Sequence, residues 1–124
     1  ESLPQKKLVF LDSCHAGAVN ESAVKEAGDT ELKKRFENSG TAILTACREG
    51  EYSREDASLG HGVFTYSIIE GINGKADPWN TGSILIPILG GYVQQRVPQL
   101  SENKQNPDPL IPAGLAKFIV AESK

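Results

Sequence analysis

Cys14 is the residue of this 124-residue chain best suited to covalent chemistry. It follows the apolar run Leu8-Val9-Phe10-Leu11 and sits within Asp12-Ser13-Cys14-His15-Ala16-Gly17. The apolar run reads as a short buried strand, and the small polar residues after it read as a tight turn. The carboxyl end of such a strand is where open α/β sheets present reactive groups. A thiol attacks only as thiolate, so it needs a base nearby. A cysteine in this position also serves simply as a small buried hydrophobe, and a histidine brought close by the fold is what separates the two roles. The chain has two histidines, His15 and His61. His15 is next to Cys14, and neighbouring side chains of an extended segment point apart. His61 lies in Gly60-His61-Gly62 at the start of a helical pattern, and reads either as a base or as a capping and packing residue. Gly17 reads as a backbone-angle residue.

The elements that must position these groups follow from periodicity. Residues 6–12 form the first strand. Asn20 to Ala27 is a helix or a loop, and a charged helix covers Glu31 to Asn38, ended by Ser39-Gly40. Thr41 to Cys47 is a second buried strand, followed by a long charged loop over 48–60, of a length that more often serves function than not. A helix spans Gly62 to Ile72, with Val63, Tyr66, Ile69 and Ile72 as its apolar stripe, widened by Phe64 and Ile68. Asn73-Gly74 stops it. Lys75 to Gly82 is a turn region with Trp79 as a packing anchor. Ser83 could cap the next helix, but Pro87 fits only if the first turn begins near Leu85 or Ile86, and Pro98 ends the helix. Leu100 to Ala113 is a Pro-rich surface connection, and Ala116 to Val120 is the last strand. Strands separated by helices imply crossovers, and so an α/β fold with a mostly parallel sheet flanked by helices. Three strands are few for such a sheet, so the chain reads as roughly the C-terminal half of one domain.

Composition narrows the function classes. The chain carries 13 basic and 16 acidic residues, a formal charge of -3, with no basic stripe to neutralise phosphates, which argues against nucleic acid as a partner. No apolar run approaches the roughly 20 residues that span a bilayer, and the N-terminal residues do not read as a signal peptide. Cys14 and Cys47 each follow an apolar strand, which suits free thiols in a reducing, cytoplasmic compartment. Histidines and cysteines lack metal-ligand spacing, so no metal or other cofactor is expected.

The turn Leu11-Asp-Ser-Cys-His-Ala-Gly17 resembles the active-site strand and turn of caspase-like cysteine peptidases, in the branch of metacaspases and bacterial caspase homologues, whose pattern is Asp-x-Cys-His-[Ser/Ala]-Gly. The resemblance continues in order along nearly the whole chain. Thr41-Ala-Ile-Leu-Thr-Ala-Cys-Arg48 is similar to the family's next core strand. Gly60-His-Gly-Val-Phe-Thr-Tyr66 and Ser67-Ile-Ile-Glu-Gly-Ile-Asn-Gly74 are similar to the helix after it, and Lys117-Phe-Ile-Val-Ala-Glu122 to its closing strand. The Gln-Ala-Cys signature of animal caspases is missing.

The resemblance implies a cysteine endopeptidase with Cys14 as nucleophile. Its base would be a histidine about 50 residues before the cysteine, a place this chain does not include. The catalytic dyad is therefore expected to be completed by an N-terminal segment or separate chain carrying the histidine. Asp12 shares a side of the strand with Cys14 by alternation. In metacaspase-like enzymes the matching residue contributes to the S1 pocket, which implies protein substrates with Arg or Lys at P1, held by the carboxylate. Asp12 also reads as a turn residue bonded to backbone. Ser53 and Asp56 border the substrate cleft by the same resemblance, or belong to a solvated loop. Some relatives require calcium, but the acids here have no EF-hand spacing and no calcium site is assigned. Two other functions stand beside this one: a non-catalytic caspase-like scaffold, against which the paired Asp12 and Cys14 argue, and a thiol hydrolase of the legumain or gingipain kind, against which the Gly60–Tyr66 block argues.

Overall fold

The computed structural model describes residues 6–11, 38–46, 55–56 and 61–122. Its main sheet has three strands in the order β1-β2-β6: β1 (Lys7–Leu11), β2 (Thr41–Thr45) and β6 (Asp108–Leu110). β1 and β2 run parallel, in register from Lys7 opposite Thr41 to Leu11 opposite Thr45. A parallel pair cannot be closed by a tight turn, and the sequence separation of these strands meets that demand. Gly40 delivers the chain into β2 from a left-handed conformation, φ 70°. Its carbonyl accepts the Lys7 N–H at 2.8 Å, so the turn itself starts the pairing. The segment 20–27, read as helix or loop, and the helix expected over 31–38 lie outside the described residues, apart from Asn38.

The third strand corrects the expected topology. β6 lies within the segment read as a surface connection and runs antiparallel to β2, with Leu110 opposite Ile43 and Asp108 opposite Thr45. The described sheet is thus mixed and not mostly parallel. Periodicity could not reveal β6, because it is three residues long with Pro109 at its centre. Proline donates no ladder bond and is confined to sheet edges, which is where β6 sits.

A short ladder joins β3 (Glu55–Asp56) to β4 (His61–Gly62), antiparallel, inside and beside the segment expected to be loop. Helix α1 (Val63–Glu70) follows directly. Its buried residues are Val63, Phe64, Ser67 and Ile68, while Ile69 is 41% exposed, so the core-facing stripe is rotated from the expected one. The reason is Ser67, which sits on the core face and satisfies its hydroxyl by donating to the Val63 carbonyl at 2.9 Å. A buried serine bonded within its own helix is invisible to an apolar pattern. The helix opens into a wide turn over Gly71–Lys75, with Gly74 at φ 123°, the stop expected from Asn73-Gly74.

The next turn is organised by Asp77, only 6% exposed. One carboxylate oxygen accepts the Thr81 N–H at 2.9 Å and the Thr81 hydroxyl at 2.7 Å, and the other accepts the Gly82 N–H at 3.0 Å. The Thr81 Oγ1 also meets both backbone groups of Ser83, within 3.0 Å of its carbonyl and accepting its N–H at 3.4 Å. Trp79, expected to anchor packing, is instead 82% exposed. The carboxylate network holds the turn, so the indole is not needed for it.

Ser83 does not cap a helix. It begins β5 (Ser83–Leu85), which pairs antiparallel with β7 (Ile119–Glu122) in a separate two-stranded sheet. The closing strand therefore starts later than expected and joins β5, not the main sheet. Helix α2 (Ile86–Leu100) starts where Pro87 requires, with the proline in its first turn. It continues through Pro98, which was expected to end it. The missing N–H would have paired the Gln94 carbonyl, and Gln94 is exposed, so water can serve that oxygen.

The core lies between one face of the main sheet and the two helices. Leu44 and Ala46 pack with Val63, Phe64 and Ile68 of α1 and with Leu89, Val93 and Val97 of α2, together with Ile84. Ala42, Ile86 and Leu115 form a second cluster, and Leu8 and Val120 touch both. β1 was expected to be fully buried, yet Phe10 is 39% exposed and Leu8, Val9 and Leu11 are half-buried. Among the described residues β1 is an edge strand, which leaves one side of it open.

Candidate active site

The arrangement of the strand ends carries the chemistry. Because β1 and β2 are parallel and in register, their carboxyl ends finish side by side, Leu11 opposite Thr45. One residue further, the Ala46 N–H donates to the Leu11 carbonyl at 2.9 Å, extending the pairing to the edge of the sheet. In the sequence, Asp12-Ser13-Cys14 follow β1 directly and Cys47-Arg48 follow Ala46. The carboxyl edge of adjacent parallel strands is where open α/β sheets place their crevice.

Cys14, Asp12 and Ser53 lie outside the described residues. So do His15, Gly17 and Cys47. Asp56 is placed by its backbone in β3, directly opposite His61 in β4. His61 therefore belongs to a short ladder that ends at α1, with Gly62 as the residue preceding the helix.

The β2 end is tied to the segment after α2 by two side-chain-to-backbone bonds. The Thr45 hydroxyl donates to the Asp108 carbonyl at 3.0 Å, and the Gln105 amide donates to the Ala46 carbonyl at 2.9 Å. Gln105 is completely buried. The sequence reading missed it, since a glutamine between Lys104 and Asn106 in a polar, Pro-containing stretch carries no signal of burial.

The charged groups with displaced titration sit between the helices. Glu70 of α1 accepts from Arg96 Nε of α2 at 2.7 Å and from the Tyr92 hydroxyl. The Arg96 hydrogen bond holds the Glu70 carboxyl below the ordinary glutamate range, against the opposing effect of burial. Burial, followed by the hydrogen bond to Glu70, pushes the Tyr92 phenol up. This cluster clamps α1 to α2. A cavity of about 310 Å³ lies by the Trp79 turn and the start of α2, lined by Asp77, Trp79, Leu85 and Ile88 among others. Its carboxylate is already engaged with Thr81 and Gly82. Among the described residues no cluster of three or more His, Cys, Asp or Glu is placed to hold a metal, and no helix is long and apolar enough to cross a membrane.

Comparison with known proteins adds one finding. The family model of the caspase domain matches residues 1–111. No curated protein and no solved structure matches the chain.

Proposed function

The chain belongs to the caspase-domain family of cysteine peptidases, and on that premise we propose that it is the nucleophile-bearing part of an endopeptidase that cleaves after Arg or Lys. The observation that supports this reading most is the in-register parallel pairing of β1 and β2, carried on by the bond between Ala46 and Leu11. It fixes the strand end three residues before Cys14 against the strand end that precedes Cys47. The histidine comes from an N-terminal segment or a separate chain, for which the open side of β1 offers a strand edge.

In this mechanism the histidine takes the Cys14 proton and the thiolate attacks the scissile carbonyl carbon. The negative charge that develops on the carbonyl oxygen is met by the Cys14 backbone N–H. Collapse of the tetrahedral adduct breaks the C–N bond, and the histidine returns the proton to the departing amine. Water, deprotonated by the same histidine, then hydrolyses the thioester and restores the thiol. Asp12 receives the cationic P1 side chain, with Ser53 and Asp56 along the cleft. Substrates are proteins with a basic P1 residue, and no metal or other cofactor enters a step.

The test is covalent labelling with an arginyl peptide acyloxymethyl ketone, on the chain assembled with its histidine-bearing segment. Labelling that disappears in Cys14→Ala supports nucleophile and basic P1 together. Folded assembly that takes no label sinks the peptidase reading and leaves a caspase-like scaffold.

A further inference from the structure

We infer that Gln105 is a positioning residue for the carboxyl edge of the sheet, setting the ends of β1 and β2 that precede Cys14 and Cys47 in the sequence. A continuous polar relay carries the inference. At the end of α2 the Ser101 N–H donates to the Val97 carbonyl at 2.9 Å. The Ser101 side chain then brackets Gln105, its Oγ accepting the Gln105 N–H at 3.0 Å and lying 3.3 Å from the Gln105 carbonyl. The Gln105 Nε2 donates to the Ala46 carbonyl at 2.9 Å, and the Ala46 N–H donates to the Leu11 carbonyl at 2.9 Å. The relay thus runs from the last turn of a core helix, across the end of β2, to the last residue of β1.

Packing alone does not explain a glutamine here. The side chain is fully buried, and a buried amide is tolerated only when its polar atoms are bonded. Among the described residues no buried side-chain nitrogen or oxygen lacks a partner. An aliphatic residue would fill the volume, but it would not fix the direction of the Ala46 carbonyl. That peptide closes the pairing of β2 with Leu11, and small displacements of reacting groups weigh heavily on rate, about 100-fold for an ångström.

The inference rests on the proposed peptidase reading for its activity readout only. The variant is Gln105→Met, which keeps the shape and removes the donor, with Ser101→Ala as a milder break in the same relay. Arg96→Ala is the comparison, because it weakens the fold at the helix clamp without touching the relay. Each is assembled with the histidine-bearing segment and followed by two reagents at Cys14: the arginyl peptide ketone, which must be seated in the cleft, and iodoacetamide, which need not be. The expected result for Gln105→Met is a peptide-probe rate about tenfold lower with the iodoacetamide rate unchanged, while Arg96→Ala leaves both rates as in the parent. Ser101→Ala lowers the peptide-probe rate in the same direction by less. Equal losses with Gln105→Met and Arg96→Ala overturn the inference by showing a general stability effect. Independently, hydrogen exchange at the Ala46 amide is expected to quicken by about tenfold in Gln105→Met, the scale of one net hydrogen bond. Unchanged exchange overturns the inference. Parent protein that takes no peptide probe, with exchange at Ala46 still quickened by Gln105→Met, instead overturns the peptidase reading and keeps the relay.

Discussion

Glu70 shows how a single carboxylate couples two elements to pH. Its carboxyl is held below the ordinary range in the folded chain by Arg96, with the Tyr92 hydroxyl also donating to it. A depressed folded value means that its contribution is present above the unfolded value and is lost as pH falls through the folded one. Glu70→Gln should therefore cost about 1 kcal/mol at pH 7 and progressively less as pH falls below the ordinary glutamate range, measured by urea unfolding across that range; the figure is that of a partly exposed ion pair. At the cleft, Asp12→Asn should lower the preference for Arg over an uncharged P1 residue by at least about tenfold, with the rate of an uncharged substrate little changed, since it removes the charge-assisted contact and not the nucleophile. That comparison of matched peptides separates a P1 carboxylate from a turn residue. Cys14 and Asp12 were candidates from sequence because reactive residue types after an apolar run leave a pattern, and both lie outside the described residues. Gln105 was not, because its role comes from a tertiary contact 59 positions away, which no local pattern records.

Among the elements, α2 carries a contrast between adjacent glycines. A side-chain carbon built at Gly90 would lie 3.1 Å from Ile111 Cδ1 and 3.3 Å from Pro109 Cβ, whereas at Gly91 it would meet nothing within 4 Å. Gly91→Ala should thus stabilise the protein by up to about 1 kcal/mol through helix propensity. Gly90→Ala should destabilise it by about 1–3 kcal/mol by pushing the helix off the β6 connection. Denaturation midpoints at equal slope decide both. The long elements were readable: β1, β2, α1 and the start of α2 follow from apolar runs, helical spacing and Pro87. The short strands were not. β5, β6 and β7 are three or four residues each, too brief for a period to declare itself. They are fixed instead by the Asp77 turn, the edge position of Pro109 and pairing between distant segments. The rotated stripe of α1 has the same origin, since Ser67 is buried by what it bonds to and not by what it is.

For the whole molecule, the α/β character was legible and the mixed sheet was not, because a parallel pair advertises itself through long crossovers while a proline-centred edge strand looks like loop. The half-exposed β1 bears on assembly. Lys7 and Leu11 bond toward β2, so by alternation the N–H groups of Leu8 and Phe10 face the other side. Binding of the histidine-bearing segment along β1 should slow hydrogen exchange at Leu8 and Phe10 by about tenfold or more, one hydrogen bond's worth, and unchanged exchange in an assembled sample would place that segment elsewhere. The Thr81 hydroxyl has a further consequence. A bare sheet margin presents unpaired backbone groups to any extended segment that meets it. By accepting the Ser83 N–H and lying 3.0 Å from its carbonyl, the Thr81 Oγ1 covers the start of β5 from within its own turn. One hydroxyl group thereby blunts the margin of the small sheet at that residue.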